Sequence, residues 1–145
     1  MKHLLLMHVV VSLLLGAACS RASPPELETL YGFELAEFEG IPPTDVAVRI
    51  EPAVEKSDLV QTTSQLVADA LRGCGTLVRE PGALDAPHGL EFISRSGSLV
   101  SAASANQRLP LAMCLLSGIE GKVLKDLGSG ERHLTIQVRR HYRAP

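Results

Sequence analysis

The segment His133-Leu134-Thr135-Ile136-Gln137-Val138-Arg139 alternates apolar and polar side chains without a break. Successive side chains of an extended strand point to opposite faces, so this pattern demands a sheet with one covered face and one wet face. Leu134, Ile136 and Val138 face in; Thr135, Gln137 and Arg139 face out. A second alternating run, Val46-Ala47-Val48-Arg49-Ile50, is rich in β-branched residues and is ended by Pro52. Residues 90–94 and 99–104 flank Arg95-Ser96-Gly97-Ser98 and read as a hairpin with Gly97 as the turn residue.

The layer that covers such a sheet is helical here. Ser57 or Asp58 can cap a helix running to about Gly73, with Leu59, Thr63, Leu66, Val67, Ala70, Leu71 and Cys74 as its buried stripe. Pro110 suits the first turn of a second helix, in which Leu111, Cys114, Leu115, Ile119 and Val123 share a face. Gly118 and Gly121 weaken that helix and point to close packing on the sheet. Gly128-Ser129-Gly130 then breaks it. The order is β-α-β-β-α-β. It predicts an α+β two-layer sandwich over residues 44–142, with two helices on one face of a mainly antiparallel sheet.

The N-terminal residues belong to a different physical class. Lys2 precedes an apolar run over residues 4–15, interrupted only by His8 and Ser12, and Gly16-Ala17-Ala18 follow. This is an export signal over residues 1–18, too short for the roughly 20 residues that span a bilayer. With a cysteine directly after the small residues, it resembles a bacterial lipoprotein signal. That resemblance implies cleavage before Cys19 and a lipid on Cys19. Ser20 follows, not Asp, which by the same resemblance implies the periplasmic face of the outer membrane. Secretion, or a soluble periplasmic protein, stays open as the alternative.

Residues 19–43 read as an acidic tether with Pro24-Pro25 and Pro42-Pro43 near its ends. Within it Leu27, Leu30, Tyr31, Leu35 and Phe38 fall near one face at helical spacing. The stretch either packs on the domain or docks into a partner as a helix or a strand.

A chain of 145 residues holds one domain plus that tether. With no Trp, two Tyr and three Phe, its core is aliphatic. A net charge of −2 gives no bulk electrostatic case for nucleic acid. Three cysteines are an odd number for an exported chain. If Cys19 carries lipid, Cys74 and Cys114 remain as a pair in an oxidising compartment, either bridged or as two buried thiols. Neither sits in a CxxC or CxxH cluster, so no metal site is expected. His88, His133 and His141 fall in no catalytic spacing and read as surface histidines, Asp69 and Glu91 as solvated carboxylates. No catalytic residue and no cofactor is expected. Arg139, Arg140, His141 and Arg143 form a basic tail that is either a solvated terminus or a contact for acidic headgroups or an acidic partner.

Residues 59–139 resemble the C-terminal domain of TonB-like energy transducers, and more closely the cysteine-containing versions in gliding-motility proteins of myxobacteria. The matching features come in order: a helix ending in Arg72-Gly73-Cys74; a strand Gly89-Leu90-Glu91-Phe92-Ile93; the turn at Gly97 into Leu99-Val100-Ser101-Ala102; a helix carrying Cys114 with Ile119 after it; and the final alternating strand. The resemblance implies a small α+β domain and supports the pairing of Cys74 with Cys114. TonB-type transducers keep a membrane-spanning anchor and a long Pro-rich spacer. The short tether and cleavable signal here point to contact with envelope proteins, not to energy coupling. The expected function is therefore a lipid-anchored binding or scaffold module without catalytic activity. Leu134, Ile136 and Val138 are the candidate partner edge, provided the last strand borders the sheet. The alternative is a small ligand-binding or enzymatic periplasmic domain with an unrecognised site.

Overall fold

The computed structural model describes residues 28–55, 58–102 and 109–142. The signal, Cys19, Ser57, Ala103, Ser104 and Arg143 lie outside the described residues. The chain runs through β1 (Thr29–Leu35), β2 (Thr44–Glu51), α1 (Leu59–Gly73), α2 (Gly75–Val78), β3 (His88–Arg95), β4 (Ser98–Ser101), α3 (Pro110–Ile119), a 3-10 turn (Lys125–Leu127) and β5 (Arg132–Arg140). The five strands form one sheet in the order β1-β2-β5-β3-β4, and every neighbouring pair is antiparallel.

The alternation read from the sequence sets the layers. Val48, Ile136 and Leu90 stand in register across β2, β5 and β3, and all three are buried. Ile50, Leu134 and Phe92 form the next buried row. Residues one place along, such as Ala47, Gln137 and Glu91, are exposed on the opposite face. The inward rows join Leu59, Val67, Leu71, Leu111, Leu115 and Ile119 of α1 and α3 in one apolar core. This is the α+β two-layer arrangement with a helical layer on one face of an antiparallel sheet.

Local chemistry explains the joints. The β3–β4 turn places Ser96 at φ 53° and Gly97 at φ 80°. Two positive φ values in a two-residue loop match the right-handed twist of the strands it joins. Gly97 also has no room for a side chain, because a Cβ there would lie 2.7 Å from the Leu124 carbonyl oxygen. Of the expected stripe of α1, Leu59, Thr63, Val67, Ala70, Leu71 and Cys74 are buried and Leu66 is half-buried. Asp58 stands at its N-cap without a side-chain capping hydrogen bond.

Several expectations need correction. The sheet begins at Thr29, inside the stretch read as a tether, and residues 29–35 pair with β2 along their whole length. A short apolar run fits helix and strand spacing alike, Gly32 lowers helix propensity, and an unfilled β2 edge offers backbone partners. Gly118 faces α1 instead of the sheet: a Cβ there would touch Ala70 at 3.4 Å. The small residue thus brings two helices together. The second helix stops at Ile119, so Val123 lies beyond it and is exposed. Directly after Cys74 the chain makes the single turn of α2.

Candidate functional site

Cys74 closes α1, and its N–H donates to the Ala70 carbonyl at 3.0 Å. Cys114 lies in the second turn of α3. The two are joined by a disulfide with Cα atoms 6.0 Å apart. Gly118 against Ala70 sits one helical turn beyond Cys114, so the bridge and the close contact share one seam. The cystine ties the two long helices of the cover layer to each other.

The expected partner edge at Leu134, Ile136 and Val138 is not an edge. β5 is the central strand, with β2 on one side and β3 on the other. All three side chains are buried. The physical reason is topological: α1 carries the chain from β2 over to β3, leaving a gap between them that the last strand fills. Alternation in sequence reports which face is covered and carries no information about lateral neighbours.

The sheet therefore ends at β4 and β1, and the two ends differ. At β4 the Leu99 N–H donates to the Lys122 carbonyl, and the Leu99 carbonyl accepts from the Gly121 N–H. The Ser101 hydroxyl bonds the Glu120 carboxylate. Residues 120–124 thus cap that edge. At β1 no such cover occurs among the described residues.

The direction of the β1 backbone groups follows from bonds further along. The Arg140 N–H points away from β2, to the Leu84 carbonyl, and the His141 N–H points the other way, to the Pro43 carbonyl. Backbone groups alternate sides along a strand, so in register Asp45, Ala47 and Arg49 turn to β5, and Thr44, Val46 and Val48 turn to β1. Their partners Leu35, Phe33 and Tyr31 then face β2. Leu30, Gly32 and Glu34 are left with N–H and C=O groups directed outward from the sheet.

The side chains of this edge are unusually apolar for an exposed strand. Natural edges are blunted by Lys, Pro, bulges or short length. β1 has seven residues, no Pro and no Lys, and one charge at Glu34. Leu30 is 53% exposed on the outer face. Tyr31 and Phe33, half-buried on the helix side, stack with ring centres 6.5 Å apart. The Tyr31 hydroxyl shares a 2.8 Å hydrogen bond with Thr63 of α1, which anchors β1 to the helical layer. Burial raises the Tyr31 phenol above its ordinary value of 10.0; the Thr63 bond opposes this and Asp126 adds to it.

Several other polar groups are paired. His141 Nδ1 lies 2.7 Å from Asp45, and its Nε2 lies 3.9 Å from Glu34. These three residues bring potential ligand atoms within 4.8 Å of one another. The two ring nitrogens, however, address different carboxylates and point apart, so the imidazole clips the end of β5 to β2 through Asp45. His88 departs from the surface reading. It is buried, and its Nε2 lies 2.7 Å from the Ala83 carbonyl. Since a carbonyl only accepts, Nε2 carries the proton. His133 is exposed, as are Asp69 and Glu91. Arg139 and Arg140 of the basic tail reach Asp45 and Asp85 at 3.8 and 3.9 Å.

A cleft of about 220 Å³ lies beside Gly40, Val78, Leu84, Asp85 and Arg140. Ligand pockets usually start near 300 Å³. Arg79 at its rim already donates twice to the Glu39 carbonyl, and Arg140 faces Asp85. The open strand is thus the strongest candidate for function among the described residues. Its apolar residues belong to the stretch expected either to pack on the domain or to dock on a partner, and they pack as a strand of the sheet. No described helix is long and apolar enough to cross a membrane. Comparison with protein-family models, with curated proteins and with solved structures finds no match.

Proposed function

We propose that the chain is a lipid-anchored cell-envelope module that binds protein through the outer edge of β1 and has no catalytic activity. The observation that carries this reading is the edge itself. Leu30, Gly32 and Glu34 present an outward ladder of backbone donors and acceptors, flanked by half-buried aromatic side chains. An extended partner segment adds to such a ladder as a further strand, with affinity from main-chain bonds and selectivity from the alternate side chains. The resemblance to TonB-like C-terminal domains is supported by the strand-helix-hairpin-helix-strand order from β2 to β5 and by the cystine.

The anchor belongs to the same reading. Cys19 stands ten positions before Thr29. Ten residues reach at most about 35 Å when fully extended. A lipid on Cys19 would hold the β1 edge within that distance of the membrane, much nearer than a tether to residue 43 would. Several acyl chains on one residue give a stable anchor, since each buried CH₂ contributes about 0.8 kcal/mol.

The test places a photoreactive amino acid at Leu30 in the full chain, in cells, and reads the adducts by mass. Adducts to protein are expected at position 30 and not at Glu91, in the middle of the open sheet face. They should vanish in the Glu34→Pro variant. The position 34 N–H faces outward, so proline there removes no β1–β2 bond while obstructing the edge. The same spectra report the N-terminus. Equal labelling at 91, or labelling that survives Glu34→Pro, would refute the edge; an unlipidated species beginning at Ser23 would refute the anchor.

A further inference from the structure

The outward groups of β1 restrict what can pair with it, and the strand satisfies that restriction with its own sequence. We infer that the occupant of this edge is a second copy of the chain, paired antiparallel through β1 about a twofold axis at Gly32. This rests on the binding role proposed above for the edge and names its partner.

The register follows from backbone direction and strand length. In an antiparallel pair, residues whose groups face outward must stand opposite each other. Among twofold registers of Leu30, Gly32 and Glu34, the one centred on Gly32 matches all seven residues of each β1. Gly32 then faces Gly32 of the copy, and Leu30 faces Glu34. Shifting the centre to Glu34 would set two carboxylates opposite each other, which is destabilising. Shifting it to Leu30 leaves part of the strand unpaired.

Side chains agree on both faces. On the helix side, Tyr31 stands opposite Phe33 of the copy, and Phe33 opposite Tyr31. Each chain already stacks these two rings at 6.5 Å. Pairing would join two such stacks into a cluster of four across the non-hydrogen-bonded positions, where side chains approach most closely. On the open face, Leu30 is flanked in its own chain by Arg49 of β2. Glu34 of the copy would lie beyond Leu30, two strand spacings of about 4.8 Å from Arg49. A long arginine side chain spans that gap over the leucine. Arg49 is 57% exposed, and swinging to Glu34 of the copy exchanges its 3.4 Å contact with Glu28 for one across the new interface. Glu28 would face Ala36 of the copy. The acids of the two edges interleave, and none opposes another. The product is one continuous ten-stranded sheet with no uncovered apolar edge.

Two variants of the full chain with one free cysteine each, Leu30→Cys and Glu34→Cys in a Cys19→Ser background that keeps the Cys74–Cys114 bridge, test this. Both positions are exposed, so the fold tolerates them. A short bis-maleimide should link the mixture of the two variants into a dimer and leave each variant alone as a monomer. Sedimentation of the parent chain should show twice the chain mass, and Glu34→Pro should return it to one. Cross-linking of Glu34→Cys with itself overturns the register. A parent chain that sediments as a monomer, while position 30 still labels another envelope protein, overturns self-pairing and leaves the binding role of the edge intact. A monomer without any adduct at position 30 overturns both.

Discussion

Replacing Cys74 and Cys114 together by alanine should lower the unfolding free energy by about 4 kcal/mol, by the chain-entropy account of a crosslink closing a loop of this length. The two residues are 40 apart in sequence. In the unfolded chain that span is free to open once the bridge is gone, which is the origin of the effect. For a domain of this size such a loss corresponds to a fall in Tm of roughly 15 °C. The native seam adds a second reason for a large effect. Cys74 is buried, and the bridge lies beside the close contact of Gly118 with Ala70, so loosening it frees both helices from one another. Thermal and urea unfolding followed by circular dichroism measure it. Dithiothreitol on the parent chain should reproduce the shift, and Cys19→Ser should not. A loss below about 1 kcal/mol would mean that the helices are held by packing alone, within the usual range for a single substitution.

The second large effect lies at Ile136. Truncation to alanine should cost about 2–5 kcal/mol, the range for removing a fully buried aliphatic group. Ile136 sits at the middle of the central strand, in register with Val48 and Leu90, under the helices. Its neighbour Gln137 points to the open face, and Gln137→Ala should change stability by no more than about 0.5 kcal/mol. Chemical denaturation of the two variants reads the contrast. Similar small losses at both would deny that β5 is buried on one face and place it at the periphery.

The same strand shows how much the sequence discloses. Its period of two revealed which side chains are covered, and the residue types from 59 to 73 and from 110 onward disclosed the covering helices, with the second carried past its end at Ile119. Lateral order was not legible, because it depends on which strand fills the gap between β2 and β3, and no local pattern records that. The stretch before residue 44 packs on the domain, one of its two expected fates, but as a strand of the sheet. Leu30, Tyr31, Leu35 and Phe38 fall at helical spacing while Tyr31, Phe33 and Leu35 alternate as in a strand, and over so short a span only pairing with β2 decides between them. The cystine was legible as an option once three cysteines were set against an exported chain, though its geometry required the two helices to be placed side by side. His88 was missed because burial of a loop histidine depends on the Ala83 carbonyl that receives its proton.

The binding edge was half legible. Its apolar anchors were visible in residues 27–38, and its backbone orientation was not. That orientation arises from the alternation fixed at Arg140 and His141, more than a hundred residues away from β1. The partner and the register of the edge depend on that orientation.

Amide hydrogen exchange in the full chain, read residue by residue at a dilution where sedimentation reports a single chain, tests that dependence directly. Tyr31, Phe33 and Leu35 should be protected by their bonds to β2, whereas Leu30, Gly32 and Glu34 should exchange close to unprotected rates, and gain protection as concentration rises. Full protection of Leu30, Gly32 and Glu34 in the dilute monomer would contradict the account, since the edge would then already be covered from within its own chain.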